Sequence, residues 1–83
     1  MRIAVRYFAS LREALGAGET LELDAGTTVG ALRDQLIARG EPHATTLARG
    51  RVLRAALNKQ MCGDDAVVAA DAEVAFFPPV TGG

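Results

Sequence analysis

The sequence predicts a two-layer α+β domain: a mixed sheet with one main helix packed across one of its faces. Three observations carry that prediction. An alternating strand starts almost at residue one, an apolar stripe with helical spacing occupies the middle, and a second apolar strand lies close to the C-terminus. With 83 residues there is one domain. A chain this short buries roughly 60–65% of its unfolded surface, so it builds one modest core. Small-molecule chemistry is therefore expected at an edge, a tail or a shared interface rather than in a deep enclosed pocket.

In residues 2–8, Ile3, Val5 and Tyr7 point one way and Arg2, Ala4 and Arg6 the other, the pattern of a half-buried strand. Ser10-Leu11-Arg12-Glu13 has the spacing of a capping box and predicts a short helical turn, ended by Gly16 and Gly18. Residues 20–24 alternate again, with Leu21 and Leu23 inward, and Asp24-Ala25-Gly26 supplies turn chemistry. Thr27 or Thr28 is the expected N-cap of the main helix. Its stripe is Val29, Leu32, Leu36 and Ile37, with Arg33, Asp34, Gln35 and Arg39 on the other sides and Gly40 as the stop. Gly30, one turn inside, is expected to destabilise that helix by about 1 kcal/mol relative to alanine. A second short helix follows Pro42, residues 52–58 and 66–68 read as short strands, and residues 73–77 form the last strand, halted by Pro78-Pro79. A strand at each end of the chain suits neighbouring central places in one sheet. The ubiquitin-like β-grasp is the small fold that best matches this order, with residues 1–79 as the domain and 80–83 as a flexible C-terminal tail.

The composition is that of a globular domain, 49% apolar and 23% charged. A net charge of −1 gives no reason to expect nucleic acid as a partner. Arg49, Arg51 and Arg54 fall close together, as either a solvated basic edge or a docking patch for an acidic partner. Cys62 is the only cysteine and His43 the only histidine, so neither an internal disulfide nor a zinc site is expected. Asp64 and Asp65 disfavour a thiolate at Cys62, which reads as a small apolar residue. Arg2 and Arg6 interrupt the apolar residues of the opening segment, so no signal peptide is expected. No apolar run is long enough to cross a bilayer, and a cytoplasmic protein is expected.

The most informative residues come last: Val74-Ala75-Phe76-Phe77-Pro78-Pro79-Val80-Thr81-Gly82-Gly83. The two prolines fix φ, remove N–H donors and end the strand. Four residues beyond Pro79 reach at most about 13–14 Å. Gly82 and Gly83 lack Cβ, so such an arm threads a narrow channel, and Gly83 leaves its carboxylate unhindered. A free carboxylate is ionised and a poor electrophile. Joining it to AMP creates a leaving group, and a sulfur nucleophile that displaces AMP leaves a thiocarboxylate able to give up its sulfur. Gly-Gly alone is a weak signal, since chance ends about 0.5% of chains that way. Strand order and a proline-stiffened apolar lead-in strengthen it. By strand parity, Val74 and Phe76 share the face toward the helix, and Phe77 faces away beside the tail as an interface anchor.

The run from Glu73 to Gly83 resembles the C-terminus of molybdopterin synthase small subunits, the sulfur carriers of molybdenum cofactor synthesis. So do Val5-Arg6-Tyr7-Phe8-Ala9 with Leu11-Arg12-Glu13-Ala14-Leu15-Gly16, Thr28-Val29-Gly30-Ala31-Leu32-Arg33, and Ala55-Ala56-Leu57-Asn58. The resemblance implies that an ATP-using activating enzyme adenylates Gly83, which then becomes a thiocarboxylate. The loaded tail enters the large synthase subunit and gives sulfur to cyclic pyranopterin monophosphate, within a heterotetramer. It also implies Gly82 and Gly83 as the functional tail, and Phe77, Pro78, Pro79, Val80 and Thr81 as its partner contacts. Catalytic groups are expected on the large subunit, with no cofactor or metal bound by this chain. Alternatives are a carrier of the same fold serving thiamine, tRNA thiolation or cysteine synthesis, a ubiquitin-like modifier of lysines, and an interaction domain with an inert tail.

Overall fold

The computed structural model describes residues 1–79. Within them the order is β1 (Arg2–Tyr7), α1 (Ser10–Leu15), β2 (Gly18–Glu22), α2 (Val29–Ile37), α3 (His43–Thr46), β3 (Arg54–Leu57), β4 (Gln60–Cys62) and β5 (Glu73–Phe77). The strands lie in the order β2-β1-β5-β3-β4. This is the expected β-grasp. The first and last strands are neighbours and run parallel, with Ala4 opposite Glu73 and Tyr7 opposite Phe76. β2 is antiparallel to β1, and β3 is antiparallel to both β5 and β4.

Alternation in β1 and β5 decides which face is covered. Ile3, Val5 and Tyr7, with Val74 and Phe76, meet Val29, Leu32 and Leu36 of α2, while Leu11 and Leu47 extend the same core. Each of these side chains is at least 96% buried. Full burial of such a side chain stabilises the fold by about 1.5–3 kcal/mol, which explains why a short chain needs nearly every apolar position on this side.

The start of α2 is held unusually well. Thr28 is the N-cap, its Oγ1 accepting from the Ala31 N–H at 3.1 Å. The Val29 and Gly30 N–H groups donate to the carbonyls of Ala66 and Asp64, both at 2.9 Å. Segment 63–68 thus supplies acceptors for the free donors of the first turn. Residues 66–68, expected as a strand, contribute only a bridge from Val67 to Thr28, because their hydrogen bonds go to the helix start instead of to the sheet.

Other expectations change as well. Ser10 does not cap α1. It is the first helical residue, Ala9 stands at the N-cap, and no side chain caps that end. β2 lies two residues earlier than expected, and β3 begins only at Arg54, leaving Val52 72% exposed. β4 has just three residues and no apolar alternation by which to find it.

Arg33 departs furthest from expectation. Instead of covering an outer side of α2, it is buried. Its Nε donates to the Leu47 carbonyl at 2.7 Å, and its Nη2 donates to those of Ala48 and Arg51 at 2.6 and 3.0 Å. One guanidinium therefore satisfies three carbonyls of the loop after α3. Arg49 is also tied inward, donating to Asp34 Oδ1 at 2.8 Å, Asp64 Oδ2 at 2.7 Å and the Gly30 carbonyl at 2.9 Å. The two carboxylates hold its guanidinium firmly in the charged form. The three neighbouring arginines of the sequence are thus divided: Arg49 is a clasp, Arg51 lends its carbonyl, and Arg54 lies on β3.

The same clasp explains Gly30. A Cβ there would lie 2.9 Å from the Asp64 Cβ and 3.2 Å from Arg49 Nη2. Propensity favours alanine by about 1 kcal/mol, yet overpacking opposes it by about 1–3 kcal/mol. Gly30→Ala is expected to lower the melting temperature, and a rise in thermal denaturation would show that the 63–65 loop yields freely. Arg33→Met keeps an apolar stem but leaves three carbonyls without their donor. At about 1–3 kcal/mol for each buried group left unpaired, offset where water reaches, a loss of about 2–4 kcal/mol is expected in urea denaturation.

Candidate functional site

The sheet face opposite α2 carries no helix, and the residues that pave it are small. Register places Ala56 of β3 directly beside Ala75 of β5, both pointing away from the core. Taller side chains border this floor: Phe8 at the end of β1, and Phe77 and Pro78 where β5 ends. Together they form an open groove of about 650 Å³, with Arg6, Lys59 and Glu73 at its rim. On the other side of Phe77 lies a second concavity of about 410 Å³, bordered by Arg54, Met61 and Pro79. Phe77 is therefore a half-buried ridge between two hollows, at the point where the chain leaves the sheet.

Backbone geometry aims these walls. The Phe8 N–H donates to the Phe76 carbonyl at 3.2 Å, extending the central pairing one residue past β1. Ala9 then turns the chain with φ 54° and ψ −131°. A non-glycine residue held there stores about 1–3 kcal/mol of strain. Phe8 consequently remains 41% exposed on the groove side, and the Arg6 guanidinium lies 5.8 Å from the centre of its ring. Opposite, Asn58 and Lys59 form a two-residue turn between β3 and β4 with φ of 49° and 70°. Asn58 fastens that turn to β5, its Oδ1 accepting from the Glu73 N–H at 2.9 Å and its own N–H donating to the Glu73 carbonyl at 2.8 Å.

Chemically the groove is an open, mostly apolar surface. Its ionisable groups are an Arg6–Glu73 pair at 3.5 Å and Lys59, none of them placed as a nucleophile and base in contact. Parity is as expected: Phe76 is 2% exposed toward α2 and Phe77 faces the other way. Pro78 and Pro79, expected as tail contacts, border the two hollows. Val80, Thr81, Gly82 and Gly83 lie outside the described residues.

Cys62 sits across from Ala55 on the inner side of the sheet, away from the groove. Burial, reinforced by Asp64 and Asp65, pushes its thiol pKa up. His43 is on the far side of the core, its ring edge-on to Tyr7 at 6.2 Å and its Nε2 3.5 Å from Glu19. Burial disfavours the Glu19 carboxylate, but hydrogen bonds from Arg39 and Tyr7 outweigh it and hold its pKa below the ordinary range. The residues that sequence reasoning missed are Phe8, Lys59, Ala56 and Ala75. Parity within β1 and β5 offered a signal for Phe8 and Ala75, but Ala56 and Lys59 depended on the register between β3 and β5.

Comparison with known proteins gives a consistent picture. The family described as ThiS family matches residues 5–83. The chain is 41% identical to the molybdopterin synthase sulfur carrier subunit of Escherichia coli (strain K12), spanning 98% of this chain and 99% of that one. It is 37% identical to the subunit of the same name from Haemophilus influenzae, spanning 95% and 96%. Among solved structures, SAMP1 from Haloferax volcanii superposes with a TM-score of 0.79 at 26% identity over the whole of both chains.

Two substitutions test the division between core and groove. Phe76→Ala is expected to reduce folding stability by about 3–5 kcal/mol, the range for a core phenylalanine. Phe77→Ala is expected to leave the protein folded but to weaken partner binding by about 2 kcal/mol or more. Denaturant unfolding and titration calorimetry together separate the two effects, and the reverse pattern would overturn the assignment.

Proposed function

This chain belongs to the ThiS family, and from that premise we propose that it is a sulfur carrier of molybdenum cofactor synthesis, the small subunit of a molybdopterin synthase. The observation that carries the reading is the near full-length likeness to two molybdopterin synthase sulfur carrier subunits. The site supports it physically. An apolar groove lies beside the end of β5, and Pro78-Pro79 end that strand shortly before Gly82-Gly83 in the sequence.

The chemistry resides in the terminal carboxylate of Gly83. An activating enzyme joins it to AMP from ATP, releasing pyrophosphate. A sulfide-level sulfur nucleophile then forms the C–S bond as AMP leaves, and the tail ends in a thiocarboxylate. Its ionised sulfur attacks cyclic pyranopterin monophosphate in the large subunit, and hydrolysis of the resulting acyl–sulfur bond returns Gly83 as carboxylate. Two such cycles supply the two sulfurs of the dithiolene. This chain contributes the renewable sulfur-bearing end, a slender Gly-Gly stem to carry it into a channel, and a docking face built around Phe77 and Phe8. The large subunit contributes the acid–base groups. A labile thiocarboxylate and a single unpaired thiol suit the reducing cytoplasm.

The test is intact mass followed by transfer. After loading by its activating enzyme the protein is expected to gain about 16 Da, the exchange of oxygen for sulfur, and to lose it on single-turnover reaction with the large subunit and cyclic pyranopterin monophosphate. Deleting Gly83 is expected to abolish loading while changing stability by less than about 0.5 kcal/mol, as for a site outside the core. Transfer instead to a thiamine or tRNA thiolation enzyme, or a ladder of lysine conjugates, would assign the tail to another carrier or modifier role.

A further inference from the structure

We propose that the helix-free face selects a partner surface whose apolar contact is ringed by carboxylates, with Arg54 and Lys59 steering the encounter. The inference rests on the carrier reading and adds to it the chemistry of the surface that this face accepts.

The argument begins with how the fold distributes charge. The chain as a whole carries −1. Yet the two hollows flanking Phe77 are bordered by three cations, Arg6, Arg54 and Lys59, against a single carboxylate, Glu73. That carboxylate is already engaged by Arg6 at 3.5 Å. Among the described residues, Arg54 and Lys59 have no carboxylate within 4.0 Å. Elsewhere, among the described residues, Arg12 and Arg51 also have no carboxylate within 4.0 Å, whereas the remaining cations are matched. Arg49 has two carboxylates, Arg39 has Glu19 at 2.7 Å, and Arg33 has three carbonyls. Two of the four open cations thus stand beside the apolar ridge, where the only carboxylate is already paired.

Local backbone geometry makes the same point for Lys59. It occupies the second place of a two-residue turn with φ 70°, where glycine is the usual residue because it has no Cβ to clash. From that turn Lys59 lines the groove, and a lysine's long aliphatic stem can cover apolar surface while its ammonium stays in water. Arg54 is the register partner of Phe77, so its charge stands directly beside the proposed anchor.

The physical roles of these groups differ. Phe77 and Phe8 bury apolar area and govern how long a complex lasts. Exposed cations are screened beyond about 10 Å at 0.1 M salt, so they act chiefly on approach and orientation. Complementary charge raises association rates by about 10- to 1,000-fold and penalises partners of the wrong sign. A partner with an apolar side chain for the groove and carboxylates opposite Arg54 and Lys59 fits both hollows at once.

The test measures association of the full chain with the molybdopterin synthase large subunit from the same source, by stopped flow from about 30 mM to 500 mM NaCl. The wild-type association rate is expected to fall tenfold or more across that range, while dissociation changes little. Arg54→Glu/Lys59→Glu is expected to associate at least tenfold more slowly at low salt and to approach wild type at high salt. Arg51→Glu, whose side chain borders neither hollow, is expected to behave nearly as wild type. Arg54→Gln/Lys59→Gln gives an intermediate rate, and circular dichroism confirms that each variant is folded. Tight binding with a salt-independent rate, or a double variant as fast as wild type, would overturn this inference and leave the carrier reading intact. Absence of wild-type binding at every salt concentration would overturn the carrier reading and this inference with it. Self-association of the chain alone, or binding of a single-stranded oligonucleotide at 150 mM NaCl, lost in the double variant, would assign the cations to a different occupant and overturn the proposal.

Discussion

The parallel pairing of β1 with β5 is the constraint on which the other features depend. It brings the first and last strands to the centre of the sheet, where both alternate and both present apolar residues to α2. Because the pairing is central, the end of β5 is fixed by neighbours on both sides, and the chain leaves from a rigid point. Phe8 and Phe77 converge for the same reason. One follows β1, the other closes β5, and parallel strands end at the same edge of the sheet. A groove beside the exit of the chain is thus a consequence of topology, with the small residues Ala56 and Ala75 supplying its depth.

A second set of interactions keeps the helical layer in place. The first turn of α2 accepts support from segment 63–68, and Arg49 joins that segment to the helix through Asp64, Asp34 and the Gly30 carbonyl. These ion pairs are largely exposed, so their contribution lies more in geometry than in energy. Arg33 acts differently, because it is itself buried and its partners are backbone carbonyls, that of Leu47 buried and those of Ala48 and Arg51 partly so. Loop 47–51 has few apolar residues to hold it, and a single charged side chain does so instead.

What the sequence revealed follows from which interactions are local. Strand parity needs only a period of two, so the opposite orientations of Phe76 and Phe77 were legible without a structure. The N-cap, narrowed to Thr27 or Thr28, and a stop by Gly40 depend on a few adjacent residues and were legible for the same reason, although the helix itself ends at Ile37. Arg33 was not. A charge beside an apolar stripe reads as exposed, and only the path of a distant loop turns it inward. Gly30 was legible as a residue unfavourable to a helix but not as a packing requirement, since Asp64 and Arg49 come from remote segments. The groove was hidden because its floor joins two strands whose register the sequence does not encode. The tail is a different case: its proposed chemistry is read from residues 80–83 and their proline lead-in, which lie outside the described residues apart from Pro78 and Pro79.

Central pairing of the terminal strands also shapes how the molecule reaches its fold. The β3–β4 hairpin is local and closes quickly, but the middle of the sheet needs contacts between residues near opposite ends of the chain. Such high contact order slows folding, because loop-closure entropy is lost before those contacts form. Until β5 docks, β1 and β3 each present an unpaired edge, and unpaired edges template aggregation. A nascent or truncated chain that lacks β5 therefore holds only two separate pairs, β1–β2 and β3–β4, each with its inner edge bare, and the seam at the centre of the sheet is the last to be sewn.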